Sequence, residues 1–220
     1  MTAARRRAIA VAYDFEKPLN LSSVHGSEYK TTEQYLQSLA TAAKMHQAHF
    51  ILLHPGTAKV DSDTQKALLS VEVQLVAVPW AVPPSLSASI PVESGGCCGA
   101  REFLKLHAFN LTQYDAVVLF DTDVQVSLHG DALTPLFDCA ASRFFLTTSS
   151  SRRFPWVNGG FFAVQPNPQL FHQLLLELSS AEVSQRSGWN GLGWGPLTMG
   201  VRATEFRMQG FLMYFFYQSG

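Results

Sequence analysis

The sequence predicts an α/β fold in which a mostly parallel central sheet carries helices on both faces. The first observation is that short apolar runs alternate with amphipathic segments over residues 8–78, in the order strand, helix, strand, helix, strand. The second is the run of five apolar residues 116–120, bounded by polar and turn residues, which is typical of a strand buried on both faces. Such sheets bind ligands outside the carboxyl ends of their strands, so we expect the functional site there.

The first half of the chain supplies three strands and two helices. Each strand is an apolar run, and the three are predicted at residues 8–12, 50–53 and 73–78. The helices are predicted at residues 31–44, where Thr31 and Gln34 make a capping-box pattern, and at residues 61–70. The polar segment 14–30 is a long connection of the kind that often lines a ligand site. The segment 80–99 is rich in Pro, Ser and Gly, and we expect an irregular surface loop there.

The second half continues the alternation less regularly. Helices are predicted at residues 101–111, 131–139, 168–180 and in the first part of 205–217. Strands are predicted at residues 116–120, with a short extension at 124–126, and at 144–148 and 157–164. The segment 188–195 is too glycine-rich for regular structure. Paired glycines, Gly159 and Gly160, open the last strand, which indicates unusual backbone dihedrals or a close approach by a ligand.

Composition sets limits on the class of protein. With 220 residues, 47% hydrophobic and 15% charged, the sequence predicts one globular domain spanning residues 1–220. The net charge is −1, and nucleic acid or an anionic membrane is therefore not expected as the main partner. No apolar run is long enough for a membrane span. The three cysteines lack metal-ligand spacing and cannot all pair, which favours a reducing compartment. The predicted location is cytoplasmic, or the Golgi if the chain is a fragment.

Two carboxylate residues, Asp121 and Asp123, lie at the carboxyl end of the most apolar predicted strand. Desolvating a carboxylate without a cation is costly, so the pair is a candidate site for a hard divalent metal such as Mn²⁺ or Mg²⁺. The alternative is a solvated turn, where aspartate is common. The spacing alone favours neither interpretation, because Asp-x-Asp is a short pattern with many chance matches.

Several motifs in order resemble glycosyltransferase family 8, the glycogenin-like enzymes. A helix with Lys105 and Leu106 leads through Tyr114 into the Asp121-Thr122-Asp123 strand. The later motifs are a short helix at 131–137, the Asn158-Gly159-Gly160 strand that ends near Pro166, and Gln209-Gly210-Phe211-Leu212. The similarity covers residues 101–212, with a weaker similarity in the first strand. Several motifs in one order are more specific than a lone Asp-x-Asp.

The resemblance implies a GT-A type, Rossmann-like nucleotide-diphospho-sugar transferase fold and a retaining, manganese-dependent hexosyltransferase that uses a UDP-sugar. The acceptor is an unidentified carbohydrate or protein. By resemblance, Asp121 and Asp123 bind Mn²⁺ or Mg²⁺, and Gln209 contacts the sugar as the candidate catalytic residue. The donor-binding candidates are Ala12, Tyr13, Lys105, Asp121, Thr122, Asp123, Asn158, Gly159 and Gly160.

The chain departs from the family pattern at two places. Met208 stands before Gln209, where the family has an acid, and no histidine follows His172, whereas the family's third metal ligand lies in a later His-x-x-Gly motif. Either the chain is truncated at its C-terminus, or another group or water completes the metal shell, or the protein does not turn over. The alternative function is therefore a truncated or degenerate, non-catalytic nucleotide-sugar-binding protein. A nucleotidyltransferase is a third interpretation, disfavoured because no Gly-rich phosphate loop follows the first strand.

Four further residues or groups of residues have an ordinary structural interpretation. His107 is predicted to pack on a helix face rather than bind metal. The aromatic residues of 211–217 are predicted to belong to the core, and Trp189 and Trp194 to anchor their loop rather than stack on a sugar.

Overall fold

The structure is a computed structural model. It describes residues 6–13, 32–60, 62–80, 82, 86, 90, 99–122, 124, 131, 133–143, 145–147, 157–184, 187–191 and 208–218.

A six-stranded sheet forms the centre of the fold. Its strands are β1 (Arg7–Ala12), β2 (Ala48–Pro55), β3 (Val73–Val78), β4 (Ala116–Phe120), β5 (Phe145–Thr147) and β6 (Phe161–Val164), in the spatial order β3-β2-β1-β4-β6-β5. The pairs β1–β2, β1–β4 and β2–β3 are parallel, and β6 is antiparallel to both of its neighbours. The expectation of a mostly parallel sheet is confirmed.

The helices follow the sequence prediction within a few residues. They are α1 (Thr32–Met45), α2 (Ser62–Ser70), a 3₁₀ helix (Gly99–Asn110), α3 (Thr134–Ala140), α4 (Pro168–Ser180) and α5 (Met208–Met213), which continues into a π-helix (Tyr214–Gln218). Asn167 caps α4 because its side-chain oxygen accepts the Leu170 N–H at 2.9 Å.

Alternate residues of the strands enter two separate cores. Ala8 and Ala10 of β1 face the core shared with the 3₁₀ helix, α4 and α5. Ile9 and Val11 face the core shared with α1, α2 and α3. The side-chain period of two along a strand produces this division, and the prediction of helices on both faces is confirmed.

The helix before β4 differs from its prediction in type. It is a 3₁₀ helix, and residues 102–109 are buried without a break. It packs against β1, β2, β4, α4 and α5, so it has no solvent-facing side that an apolar stripe would mark. A 3₁₀ helix turns about 120° per residue, so Arg101 and Lys105, four positions apart, do not share a face as an α-helix would predict.

A short ribbon anchors the segment that the sequence marks as irregular. Strands β7 (Val183–Ser184) and β8 (Gly188–Trp189) pair antiparallel, so the prediction of no regular structure in 188–195 is wrong at its start. The Trp189 side chain is 1% exposed, with its ring 6.4 Å from that of Phe103 and 5.2 Å from that of Phe211. Its predicted anchoring role is confirmed, and Trp194 lies outside the described residues.

The C-terminal aromatic residues whose side chains the structure describes lie in the core as predicted. Phe211 and Tyr214 are buried, and Phe215 and Phe216 pack against the same core. The Tyr214 hydroxyl donates to Glu177, and desolvation by burial, reinforced by this bond, raises the Tyr214 pKa. Elsewhere in the fold, none of the described helices has both the length and the apolar character needed to cross a bilayer.

The stacked phenylalanine cluster around Phe109 provides a test of this core. The Phe109 ring is fully buried and lies 5.9 Å from Phe162 and 6.0 Å from Phe145. Phe109→Ala is expected to lower the free energy of unfolding by about 3–5 kcal/mol, because the cavity cannot fully collapse. Leu176→Ala, at a residue 54% exposed on α4, is expected to change it by less than about 1 kcal/mol. Urea unfolding of both variants measures the difference, and equal losses would contradict this packing.

Candidate functional site

Three neighbouring strands end together at one edge of the sheet. The register pairs Val11 of β1 with Phe120 of β4, and Phe120 with Phe161 of β6. The residues that lie side by side at this edge are therefore Ala12, which ends β1, Asp121, which follows β4, and Gly160, which precedes β6. The Asp121 N–H donates to the Gly160 carbonyl at 2.7 Å, which continues the pairing by one residue. This edge is the carboxyl end of β1 and β4, at the position where the strand order reverses, which is the usual ligand-binding position in open α/β sheets.

Tyr13 and Thr122 also lie at this edge. The Tyr13 N–H donates to the Leu53 carbonyl of β2 at 2.8 Å, and both Tyr13 and Thr122 are half-buried. The structure thus brings together the predicted donor-binding residues of the first and fourth strands. Asp123, the second predicted metal ligand, lies outside the described residues.

A buried ion pair joins the 3₁₀ helix to this edge. Phe120 faces the α1 side of the sheet, so the following residue, Asp121, points to the opposite side, where Lys105 lies. The Lys105 residue is 3% exposed, and its ammonium pairs with the Asp121 carboxylate and donates to the Gly159 carbonyl at 3.3 Å. A buried ammonium requires such partners, because its desolvation is otherwise very costly.

The glycine pair connects four of the site residues. The Gly160 N–H donates to the Asn158 side-chain oxygen at 2.8 Å, and the Gly159 N–H to the Gln209 side-chain oxygen at 3.4 Å. The carbonyls of the same two glycines accept from Asp121 and Lys105 respectively. All four backbone groups are therefore engaged within the protein. That they face a donor sugar stays a prediction.

Close packing explains why both positions are glycine. A Cβ on Gly160 would lie 2.6 Å from Asp121 Oδ2, and one on Gly159 would lie 3.1 Å from Gln209 Cβ. The sequence offered two reasons for this pair, unusual backbone dihedrals and a close approach by a ligand. No positive φ occurs at either glycine, and the groups that approach them closely belong to the protein itself.

A hydroxyl from the other face of the sheet holds the segment that follows β4. The Val124 N–H donates to the Asp121 carbonyl at 3.1 Å, an i to i+3 hydrogen bond of the kind that closes a turn. The Tyr35 hydroxyl of α1 lies 3.0 Å from the Asp121 carbonyl and 3.3 Å from the Val124 carbonyl. The sequence predicts a helix over residues 31–44, which includes Tyr35, but no local pattern marks the reach of its hydroxyl.

The donor set of this edge is compatible with a divalent metal bound together with a diphosphate. Asp121 supplies a carboxylate, a ligand that Mn²⁺ and Mg²⁺ accept, and Mg²⁺ sites commonly combine one or two carboxylates with substrate phosphates. Within the described ranges, no three His, Cys, Asp or Glu side chains form a group that would hold a metal alone. The carboxylate is close-packed by Lys105 and Gly160, so any metal bound there shares Asp121 with a cationic neighbour.

His107 is a packing residue, as predicted. Its ring is buried beside Phe171, with centroids 5.1 Å apart, and its Nε2–H donates to the Pro79 carbonyl at 2.8 Å. Desolvation by burial lowers the His107 pKa, although the bond to Pro79 opposes this effect. His107 therefore ties the 3₁₀ helix to the end of β3 in its neutral form.

Comparisons with known proteins identify the fold. GlyE, a glycosyltransferase of Streptococcus pneumoniae TIGR4, superposes with a TM-score of 0.52 at 12% identity over 98% of this chain and 44% of GlyE. The chain has a GT-A-type fold. Apo GlyE gives a TM-score of 0.48 at 14% identity over 80% of this chain and 39% of GlyE. A cytidylyltransferase from Leptospira borgpetersenii gives 0.46 at 15% identity over 78% of this chain and 64% of that protein.

The similarity extends to fold and no further. This chain spans less than half the length of the GlyE structures. No protein-family model matches the sequence. No curated protein matches it either. At 12% identity the similarity to GlyE shows the fold alone.

Gly160→Ala tests the packing around Asp121. The added Cβ would displace the carboxylate from Lys105 and leave a buried ammonium poorly paired, so we expect a loss of about 2–4 kcal/mol in unfolding free energy. Gly56→Ala is the matched control, because its Cβ would meet only the Val78 carbonyl, at 3.9 Å. Urea unfolding of the two variants measures the effect. The proposed packing would be wrong if the Gly160 variant were no less stable than the Gly56 variant.

His107 predicts a pH dependence of stability. Because its pKa is lowered in the folded state, the unfolded chain binds a proton more readily, so stability falls as pH decreases below the ordinary value of about 6.5. His107→Gln retains a donor for Pro79 and removes the titration. Urea unfolding at pH 7.5 and pH 5.5 is expected to show a smaller acid-induced loss in the variant than in the wild type. An identical loss in both proteins would contradict this assignment.

Proposed function

We propose that this chain is a glycosyltransferase of the glycogenin-like family 8. It binds a UDP-sugar through Mn²⁺ or Mg²⁺ and transfers the hexose, with retention of configuration, to a carbohydrate or protein acceptor. The single domain over residues 1–220 and the cytoplasmic location predicted from the sequence remain part of this proposal.

One observation carries the proposal. Residues from three separate motifs of the family resemblance, Lys105, Asp121 and Gly159, form one connected group at the carboxyl edge of the sheet, and Gln209 from a fourth motif joins it through Gly159. These residues are as much as 104 positions apart in the sequence, from Lys105 to Gln209. A chance Asp-x-Asp turn gives no reason for the other motifs to meet at the same place.

Each residue has a role suited to a sugar nucleotide. Asp121 and Asp123 offer carboxylate oxygens to the metal, which neutralises diphosphate charge when bound and makes UDP a better leaving group. Lys105 supplies a fixed positive charge for donor oxygens, and its burial strengthens that interaction. The Gln209 residue is half-buried and accepts from the Gly159 N–H, which supports its proposed contact with the hexose.

The alternative of a non-catalytic nucleotide-sugar-binding protein is favoured by one observation. Met208, which replaces an acid of the family pattern, is fully buried in the core. This position packs apolar neighbours and offers no carboxylate to a sugar. The binding residues would remain in such a protein while the chemical step was lost.

Metal-dependent binding of UDP tests the proposal. We expect UDP to bind the wild-type protein at least tenfold more tightly with Mn²⁺ than with EDTA, measured by calorimetry. Asp121→Asn is expected to abolish this ratio, but it also leaves the Lys105 ammonium buried without its counter-charge. The double variant Asp121→Asn with Lys105→Gln removes both charges, so it is expected to recover thermal stability without recovering the metal dependence.

The control for charge is Asp138→Asn, at an exposed residue paired with Arg7 at 3.0 Å. It is expected to keep the wild-type ratio. A wild type without metal-dependent UDP binding, or a double variant that retains it, would refute the proposal.

Slow hydrolysis of UDP-glucose or UDP-galactose without an acceptor separates the two candidates. UDP release by the wild type and not by the double variant supports a transferase. Binding without release supports the non-catalytic alternative.

A further inference from the structure

We propose that Tyr35 is a positioning residue for the metal and nucleotide site: its hydroxyl holds the backbone turn that follows β4. The inference rests on the proposed function, and it adds a residue that belongs to none of the motifs that suggested that function. Tyr35 comes from α1, on the opposite side of the sheet from Lys105.

The hydroxyl connects the two ends of one turn. The Asp121 carbonyl accepts from the Val124 N–H at 3.1 Å and lies 3.0 Å from the Tyr35 hydroxyl, which is also 3.3 Å from the Val124 carbonyl. A hydroxyl has one proton, so it is shared between the two carbonyls. Asp121 is itself a predicted metal ligand, so the Tyr35 hydroxyl acts on the backbone of the residue that carries this carboxylate.

Packing fixes the position of this hydroxyl. The Tyr35 side chain is fully buried in the core formed with Ile9, Val11, Val118 and Phe120. A buried tyrosine hydroxyl needs a partner, and the carbonyls of Asp121 and Val124 at the end of β4 lie within hydrogen-bond distance of this one. The Tyr35 ring packs in the core as a phenylalanine ring would. The hydroxyl is therefore not needed for packing, and it bonds to the turn instead.

The two faces of the sheet thus hold Asp121 by different atoms. Lys105 pairs with its carboxylate from one side, and Tyr35 binds its carbonyl from the other. A metal site requires ligands to be held closely in place by neighbours that are themselves fixed by packing. Tyr35 meets that requirement for the backbone, as Lys105 does for the side chain.

Tyr35→Phe tests the inference, with Tyr114→Phe as its matched control. Tyr114 is also buried, and its hydroxyl bonds to His49 at 2.8 Å and Gln74 at 3.3 Å, next to the amino end of β4. Both variants lose one buried hydroxyl interaction, so similar small decreases in Tm are expected. Calorimetry then compares the dissociation constants of UDP with EDTA and with Mn²⁺. We expect Tyr35→Phe to reduce their ratio about threefold to tenfold, as the loss of one hydrogen bond predicts, and Tyr114→Phe to leave it unchanged.

Amide hydrogen exchange by NMR provides a second measurement that does not depend on metal or nucleotide. The Val124 amide is expected to exchange about threefold to tenfold faster in Tyr35→Phe than in Tyr114→Phe. Unchanged exchange of this amide would overturn the positioning role, and an equal fall of the binding ratio in both variants would overturn its link to the site. If the wild type lacks metal-dependent binding, the proposed function fails together with this link, while the Val124 exchange still decides whether Tyr35 holds the turn.

Discussion

The buried ion pair between Lys105 and Asp121 is the constraint on which the site depends. The Lys105 ammonium is almost completely enclosed, so the fold has to supply a counter-charge and a hydrogen-bond acceptor within reach. Asp121 provides the charge and the Gly159 carbonyl provides the acceptor. The 3₁₀ helix, the end of β4 and the turn before β6 are therefore joined at one side chain, and none of them can shift without exposing an unpaired charge to the core.

Glycine at two consecutive positions makes this arrangement possible. The sheet register brings Gly160 beside Asp121, and the Asp121 carboxylate lies where any other residue would place its Cβ. Gly159 allows the first turn of α5 to approach the strand closely enough for Gln209 to bond to it. The close approach of β4 and α5 to this glycine pair thus depends on the absence of two side chains. Asn158 completes the turn before β6 because its side-chain oxygen accepts the Gly160 N–H.

The fold could be predicted from the sequence because its signals are local. Alternating apolar and amphipathic segments mark β1 through β3, and the continuously apolar run marks β4. The 3₁₀ helix could not be recognised, since a segment buried on every side has no periodic polar face.

The site was predictable in part, through the order of its motifs. The meeting of Lys105, Asp121 and the glycine pair follows from that order, whereas the bonds within the group depend on packing across the chain. Tyr35 is 86 residues from Asp121, and its hydroxyl adds nothing to a helical pattern that phenylalanine would satisfy equally. The role of such a residue can be recognised only from a structure that gives the positions of its hydrogen-bond partners.

Charge balance connects the fold to the proposed ligand. In this structure Lys105 and Asp121 neutralise each other, so a divalent cation that approached Asp121 alone would share one carboxylate with an ammonium close by. Two such cations repel by several kcal/mol at an effective dielectric constant of about 20, which opposes binding of the metal by itself. A diphosphate reverses that balance, because its negative oxygens interact favourably with both the metal and Lys105. Under the proposed function, the ion pair at the edge of the sheet would therefore favour a metal that binds together with a nucleotide.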